Sequence, residues 1–132
     1  IIPVRSMRRI VKELSTGSLV WMAPDQDSGK KGAVVSPFFG VPTYTVATVS
    51  RLIAMTDAEP LLASLSYEAG CYHLKVERMR TVFEKDDDTG NTDKLNTEFE
   101  RLIRSNVDQY LWVHRRFKSS DADWVTAGMY RK

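Results

Sequence analysis

One cysteine, Cys71, is all that the 132-residue chain contains. No disulfide can form within it, and the usage points to a reducing compartment. No apolar run approaches the ~20 residues that a membrane-spanning helix requires, and no signal peptide is visible. Internal repeats, low-complexity tracts and metal-ligand spacings such as a calcium-binding loop are missing. A strong charge excess is missing too. Nineteen Lys and Arg against seventeen Asp and Glu leave a net +2, too little to imply nucleic acid by itself, so placement matters more than sign. The chain opens IIPVRSMRR without an initiator Met, which reads as a piece of something longer. An apolar share of 42% and a charged share of 27% are ordinary for a globular protein. The length suits one domain, 1–132, with a real core.

What is present is organised around the stretch 20–40, VWMAPDQDSGKKGAVVSPFFG. Val20, Trp21 and Met22 read as the end of a buried strand that Pro24 stops. Asp25 and Asp27 flank Gln26. Ser28, Gly29, Lys30, Lys31 and Gly32 make a polar, basic, flexible loop. Val34 and Val35 resume an extended run, broken by Pro37 before Phe38, Phe39 and Gly40. Loops at strand ends carry function because the scaffold holds them still.

Around it, Val4, Met7, Ile10, Val11 and Leu14 recur at helical spacing, with Arg5, Arg8, Arg9 and Lys12 on the other side. This predicts an amphipathic helix over 4–15, with Gly17 at the C-terminal cap. The uninterrupted apolar run 19–22 predicts a strand covered on both faces. A short strand follows over 34–38. Val46, Val49 and Ile53, with Ala47, Leu52 and Ala54, predict a helix that residues 57–60 end. Residues 61–65 form another apolar strand. Tyr72, Leu74 and Val76 alternate with His73, Lys75 and Glu77, the period of a half-buried strand. Gly70 makes a hairpin of 61–66 and 71–77. KDDDTGNT, 85–92, reads as a solvated loop, with Asn91 or Thr92 capping a helix whose stripe is Leu95, Phe99, Leu102 and Ile103. The alternation predicts an α/β fold in which a partly parallel, mixed sheet has flanking helices.

The candidate site residues carry two readings each. Asp25 and Asp27 suit metal ligation, acid chemistry or a polar ligand; strand-end aspartates also form turns and caps. They share a face only if strand geometry runs through both. Lys30 and Lys31 suit phosphate, or simply solubility. Arg51 is exposed on its helix or turned to a site. His114, Arg115 and Arg116, between Trp112 and Phe117, are the densest basic-aromatic cluster. They suit an anion, a phosphorylated sugar or an acidic carrier protein, or form a solvated segment whose aromatics pack the core. No nucleic-acid recognition module surrounds them. His73 stands ~13 Å from Glu77 along a strand and reads as structural or surface. Cys71 has no basic activator nearby in sequence and reads as an inert thiol.

Three blocks, WMAPDQDSGKKGAVVSPFFGVP, TVSRLIAMTDAEP and DQYLWVHRRFK, resemble the C-terminal half of the lipid A biosynthesis acyltransferases. These are the Kdo-dependent lauroyl- and myristoyltransferases of Gram-negative bacteria, in the lysophospholipid and glycerolipid acyltransferase superfamily. The resemblance spans 2–118. It implies the C-terminal portion of a glycerolipid-acyltransferase-like fold, at the cytoplasmic face of the inner membrane. It implies transfer of an acyl group from an acyl carrier protein thioester to a hydroxyl of a lipid A precursor, without metal or cofactor. The family's His-x-x-x-x-Asp/Glu dyad matches neither histidine here: Arg78 stands five residues after His73, and Ser119 five after His114. The dyad and the N-terminal half of the domain are expected upstream. Positive charge at Arg5, Arg8, Arg9, Lys30, Lys31, Arg51, Arg115 and Arg116 suits the anionic precursor, the acidic carrier and the membrane surface. Asp27, next to the flexible Ser28 and Gly29, is expected to face the cleft while Asp25 braces the turn. The competing reading is a non-catalytic anion- or carrier-binding module derived from such an enzyme.

Overall fold

Two tight turns decide the topology. The computed structural model describes residues 6–123 together with Val125, Gly128 and Tyr130. Strands β1 (Ala33–Phe38) and β2 (Val41–Val46) are joined by Phe39 and Gly40 alone. Strands β3 (Leu61–Glu68) and β4 (Cys71–Arg78) are joined by Ala69 and Gly70 alone. All four turn residues have positive φ: 50° at Phe39, 77° at Gly40, 49° at Ala69 and 83° at Gly70. Two left-handed residues in succession match the right-handed twist of a hairpin. Phe39 is an unusual residue for that conformation. Its N–H donates to Glu100 Oε1 at 2.6 Å, and the Arg104 guanidinium lies 4.9 Å over its ring.

The fold is therefore α/β in content, with three helices and two separate antiparallel hairpins. The expected partly parallel sheet is corrected: no parallel pair occurs among the described residues, because two-residue turns reverse the chain. β2, in VPTYTV, was not predicted from the sequence. Pro37 and Pro42 face each other across the ladder, one pair out from Phe38 and Val41, which close the turn. That pair is a non-hydrogen-bonded one, so neither missing N–H is needed. Residues 19–22, expected as a strand, form no ladder, and Leu19 and Trp21 are 85% and 76% exposed.

Three helices flank the hairpins: α1 (Met7–Ser15), α2 (Thr48–Thr56) and α3 (Asp88–Ser105). The first two match the predicted spans to within a turn; Arg5 lies outside the described residues. Gly17, at φ 84°, follows the α1 cap residue Thr16. α3 starts earlier than predicted. The Asp87 side chain accepts the Gly90 N–H at 2.8 Å, so the second half of KDDDTGNT is helix. Asn91 and Thr92 are buried inside the helix instead of capping it.

α3 lies across the β1–β2 hairpin. Phe38, Ile103, Phe117 and Val125 form the apolar centre. Beside it the layer is polar: Ser36, Thr43, Thr45 and Asn96 are fully buried. Asn96 Nδ2 donates to Ser36 Oγ, the Pro37 carbonyl and Thr45 Oγ1. Such a network fixes the helix on the hairpin directionally, as apolar contact would not.

The β3–β4 hairpin is fastened through its polar face. Arg101 of α3 pairs with Glu77 and, at 2.9 Å, with Glu98, while Lys75 also reaches Glu77 at 2.6 Å. Lys75 and Arg101 together hold the Glu77 carboxyl down from the ordinary 4.5 to about 2. A depressed carboxyl contributes stability above its unfolded pKa and loses it as pH falls through its folded pKa. The stability difference between the native chain and Glu77→Gln should be largest above pH 4.5 and shrink toward zero as pH falls to about 2. Thermal melts of both proteins across that range measure it; a constant gap would show that Glu77 does not fasten the hairpin as an anion.

Candidate functional site

The two blocks singled out in the sequence, DQD and HRRF, lie roughly ninety residues apart in the chain (for example |i−j| = 87 for Asp27 and His114) and meet in space. The Asp27 N–H donates to His114 Nε2 at 3.0 Å. The Asp27 carboxylate accepts the Gly29 N–H at Oδ1 and the Ser119 N–H at Oδ2, each at 2.8 Å. Asp27 is 3% exposed. Its acceptors are spent on backbone, so it braces the turn and ties it to the C-terminal segment. The expectation that Asp27 would face a cleft and Asp25 would brace is reversed. The Ser28 and Gly29 step that seemed to free Asp27 instead folds its own N–H back onto the carboxylate, an Asx-type turn.

Asp25 is half-buried and lines an apolar groove of about 810 Å³. Tyr110, at the same end, donates its hydroxyl to Asp25 Oδ2 at 3.3 Å. Burial, then the neighbouring Asp25 charge, raises the Tyr110 pKa, so the hydroxyl keeps its proton at any physiological pH. Residues 19–23, α2, β3 and α3 wall the rest of the groove with Leu19, Met22, Leu52, Leu62, Phe99 and Leu102 among others. An apolar trough with one polar end is the general form of a ligand site.

Arg116 lies behind both aspartates at 1% exposure. Its Nη1 donates to the Tyr44 carbonyl at 2.9 Å and its Nη2 to Thr45 Oγ1 at 2.5 Å. The guanidinium sits 4.8 Å over the Phe38 ring. Burial lowers its pKa; Tyr110, Asp27 and Asp25 act the other way, and a guanidinium stays a cation through such a shift. Lys30 reaches Asp121 at 2.7 Å and lies 4.9 Å over the Tyr44 ring, with its pKa raised by that hydrogen bond. Arg115 lies 5.9 Å from the Tyr130 ring centroid. Lys31 is exposed.

The structure thus brings Asp25, Asp27, His114 and Arg116 together, with Lys30 alongside. Arg51 is apart, paired with Asp88 in the first turn of α3 at 2.7 Å. Tyr110, Tyr44, Ser119 and Asp121 were missed. Tyr110 lay inside the flagged QYLWVHRRFK, where attention to charge hid a hydroxyl. No group of three or more metal-ligating side chains gathers among the described residues.

A family model for bacterial lipid A biosynthesis acyltransferases matches residues 1–119. The chain belongs to that family. It is 32% identical over 121 residues to the lipid A biosynthesis palmitoleoyltransferase of Escherichia coli K12, covering 86% of this chain and 38% of that protein. It is 28% identical over 130 residues to a lipid A biosynthesis acyltransferase of Haemophilus influenzae, covering 96% of this chain and 42% of the relative. The Escherichia coli lauroyltransferase is 27% identical over 118 residues, 87% of this chain and 39% of its own. The chain therefore spans about two-fifths of the relatives it matches.

Asp27→Asn tests the brace in this acyltransferase-family chain. One acceptor becomes an NH2 group facing a backbone N–H, which should cost ~1–3 kcal/mol. Asp25→Asn, whose carboxylate accepts only from Tyr110, should cost less than half as much. Chemical denaturation of the three proteins measures this; equal losses, or a larger one at Asp25, would contradict the geometry.

Proposed function

We propose that this chain is the C-terminal part of an acyltransferase domain that moves an acyl group from an acyl carrier protein thioester to a hydroxyl of a lipid A precursor. The observation that carries the reading is the pairing of an apolar groove with the Asp25 and Tyr110 end that the DQD and HRRF blocks hold in place. An acyl transferase has to accommodate a hydrocarbon and a polar acceptor side by side.

In the reaction, the acceptor oxygen attacks the thioester carbonyl and its proton passes to a base. The carbon–sulfur bond then breaks and the carrier thiol leaves. Neither histidine here serves as that base. His114 spends Nε2 on the Asp27 N–H, and His73 stands on the polar face of the β3–β4 hairpin. The base belongs to the dyad expected upstream. This chain's part is placement. Asp25 and the Tyr110 hydroxyl orient the polar acceptor, while Asp27, His114 and Arg116 hold them. Lys30, Lys31, Arg51 and Arg115 supply cations for phosphates and carboxylates of the precursor and for the acidic carrier. The scheme uses no cofactor. No helix among the described residues is long and apolar enough to cross a membrane. The reading puts the protein at the cytoplasmic face of the inner membrane through surface charge and the rest of its domain.

The test has two arms. The purified chain should transfer no acyl group from acyl carrier protein to the precursor. In the complete polypeptide, Asp25→Asn should lower kcat/KM by ~10²-fold, the scale of lost orientation, with little change in melting temperature. Native kcat/KM in that variant would defeat the role of Asp25; turnover by the isolated chain would defeat the division of the domain.

A further inference from the structure

The β3–β4 hairpin bares its apolar face. By its register, Leu61, Ala63, Leu65 and Tyr67 share a face with Tyr72, Leu74 and Val76. All seven are exposed. The opposite face, with Ser64, Ser66 and His73, turns toward α3. On that side only Leu62 is buried, Ser64 and Ser66 are half-buried and His73 is exposed, so the apolar face is the more open of the two and its hydrophobic pattern is set for a neighbour on the bare side.

Two edges facing the groove tell what neighbour it is. Ala69 and Gly70 close the hairpin at Glu68 and Cys71. Antiparallel alternation then leaves the N–H and carbonyl groups of Tyr67, Leu65, Ala63 and Leu61 pointing away from β4. At Tyr67 this edge already takes a partner: the Gln109 side-chain amide accepts the Tyr67 N–H at 2.6 Å and donates to the Tyr67 carbonyl at 3.2 Å. The amide imitates one residue of an adjoining strand. At Leu61, Ala63 and Leu65 no such partner stands among the described residues. Across the groove, residues 19–22 make no backbone hydrogen bond among the described residues, before the turn at Pro24 and Asp25. Four consecutive apolar residues whose backbone groups are unpaired form an open edge. Both edges line the same trough.

We propose that the groove is the slot for an apolar β-strand, which pairs with β3 on one side and with residues 19–23 on the other, joining them into one sheet. Its side chains alternate between the bare apolar face and the α3 side, where Leu95, Phe99 and Leu102 line the trough, so the strand is apolar on both faces. The occupant is a strand from the part of the acyltransferase polypeptide outside this chain. The relatives extend well beyond the matched segment, which is 38% to 42% of their length, and the slot ends at Asp25 and Tyr110. This rests on the reading of the chain as part of a longer acyltransferase domain.

Amide exchange tests the slot. The 132-residue chain is compared alone and in place of the matched segment of the Escherichia coli palmitoleoyltransferase. The amides of Ala63, Leu65 and residues 20–23 should exchange freely in the chain alone and at least ~10²-fold more slowly in the fusion. Leu65→Pro removes one edge N–H; it should leave melting of the isolated chain unchanged and lower that of the fusion. Free exchange in a cooperatively folded fusion overturns the proposal. So does protection in the isolated chain that grows with its concentration, which would identify a second copy, or that appears on adding fatty-acid micelles, which would identify lipid. If the fusion gives no cooperative transition, the remaining palmitoleoyltransferase polypeptide is added to the chain in trans, and absence of protection there overturns it as well. Acyl transfer by the fusion is assayed in parallel. Protection without transfer supports the slot and counts against the functional reading; transfer without protection does the reverse.

Discussion

Burying a guanidinium is the constraint on which the site depends. Taking such a charge out of water costs several kcal/mol, which surrounding polar groups must offset. Arg116 is met by a carbonyl, a hydroxyl and an aromatic face from the β1–β2 hairpin, and by the field of two aspartates and a tyrosine. No carboxylate among the described residues pairs with it. The compensation comes from three stretches of chain, and Arg116 Nε is left without a hydrogen-bond partner among the described residues, so the buried charge depends on the DQD loop, the hairpin and the C-terminal segment all being in place. The polar layer of Ser36, Thr45 and Asn96 belongs to the same arrangement, since Thr45 Oγ1 accepts from both Arg116 and Asn96. Directional bonding, with a small apolar centre beside it, specifies how α3, β1 and β2 meet.

That arrangement separates the work of two neighbouring carboxylates. Asp27 is saturated by backbone donors and holds a turn. Asp25, two residues earlier, keeps one oxygen toward a tyrosine and a face toward the groove. Sequence chemistry alone favoured the opposite assignment, because flexibility at Ser28 and Gly29 looked like freedom for Asp27. The glycine supplies something else: at φ 86° it turns its N–H back to the preceding carboxylate.

The legible parts of the fold were those with an unambiguous period. α1, α2, the stripe of α3 and the β3–β4 hairpin all sit where apolar spacing put them. β2 was illegible because two prolines that face each other in a non-bonded pair look, one at a time, like strand breakers. The start of α3 was illegible because three aspartates in a row look solvated, although one of them caps a helix. The strand predicted over 19–22 has the composition of a buried strand and lacks a neighbour to pair with. The partly parallel sheet predicted from the alternation of elements is replaced, among the described residues, by two antiparallel hairpins. At the site, His114 and Arg116 were found through the density of charge and aromatics, whereas Tyr110 carries no charge and passed unmarked.

The central claim is that the DQD and HRRF blocks form one hydrogen-bonded unit around the buried Asp27 and Arg116. The Asp27 N–H can donate only to an unprotonated ring nitrogen, so His114 must be neutral with its proton on Nδ1. Long-range ¹H–¹⁵N correlation spectra of the two histidines in the labelled chain read this directly. An unprotonated Nε2 on His114, with a protected Asp27 amide, is the expected result, distinct from the pattern at His73. A His114 ring protonated at Nε2, or indistinguishable from His73, would contradict it.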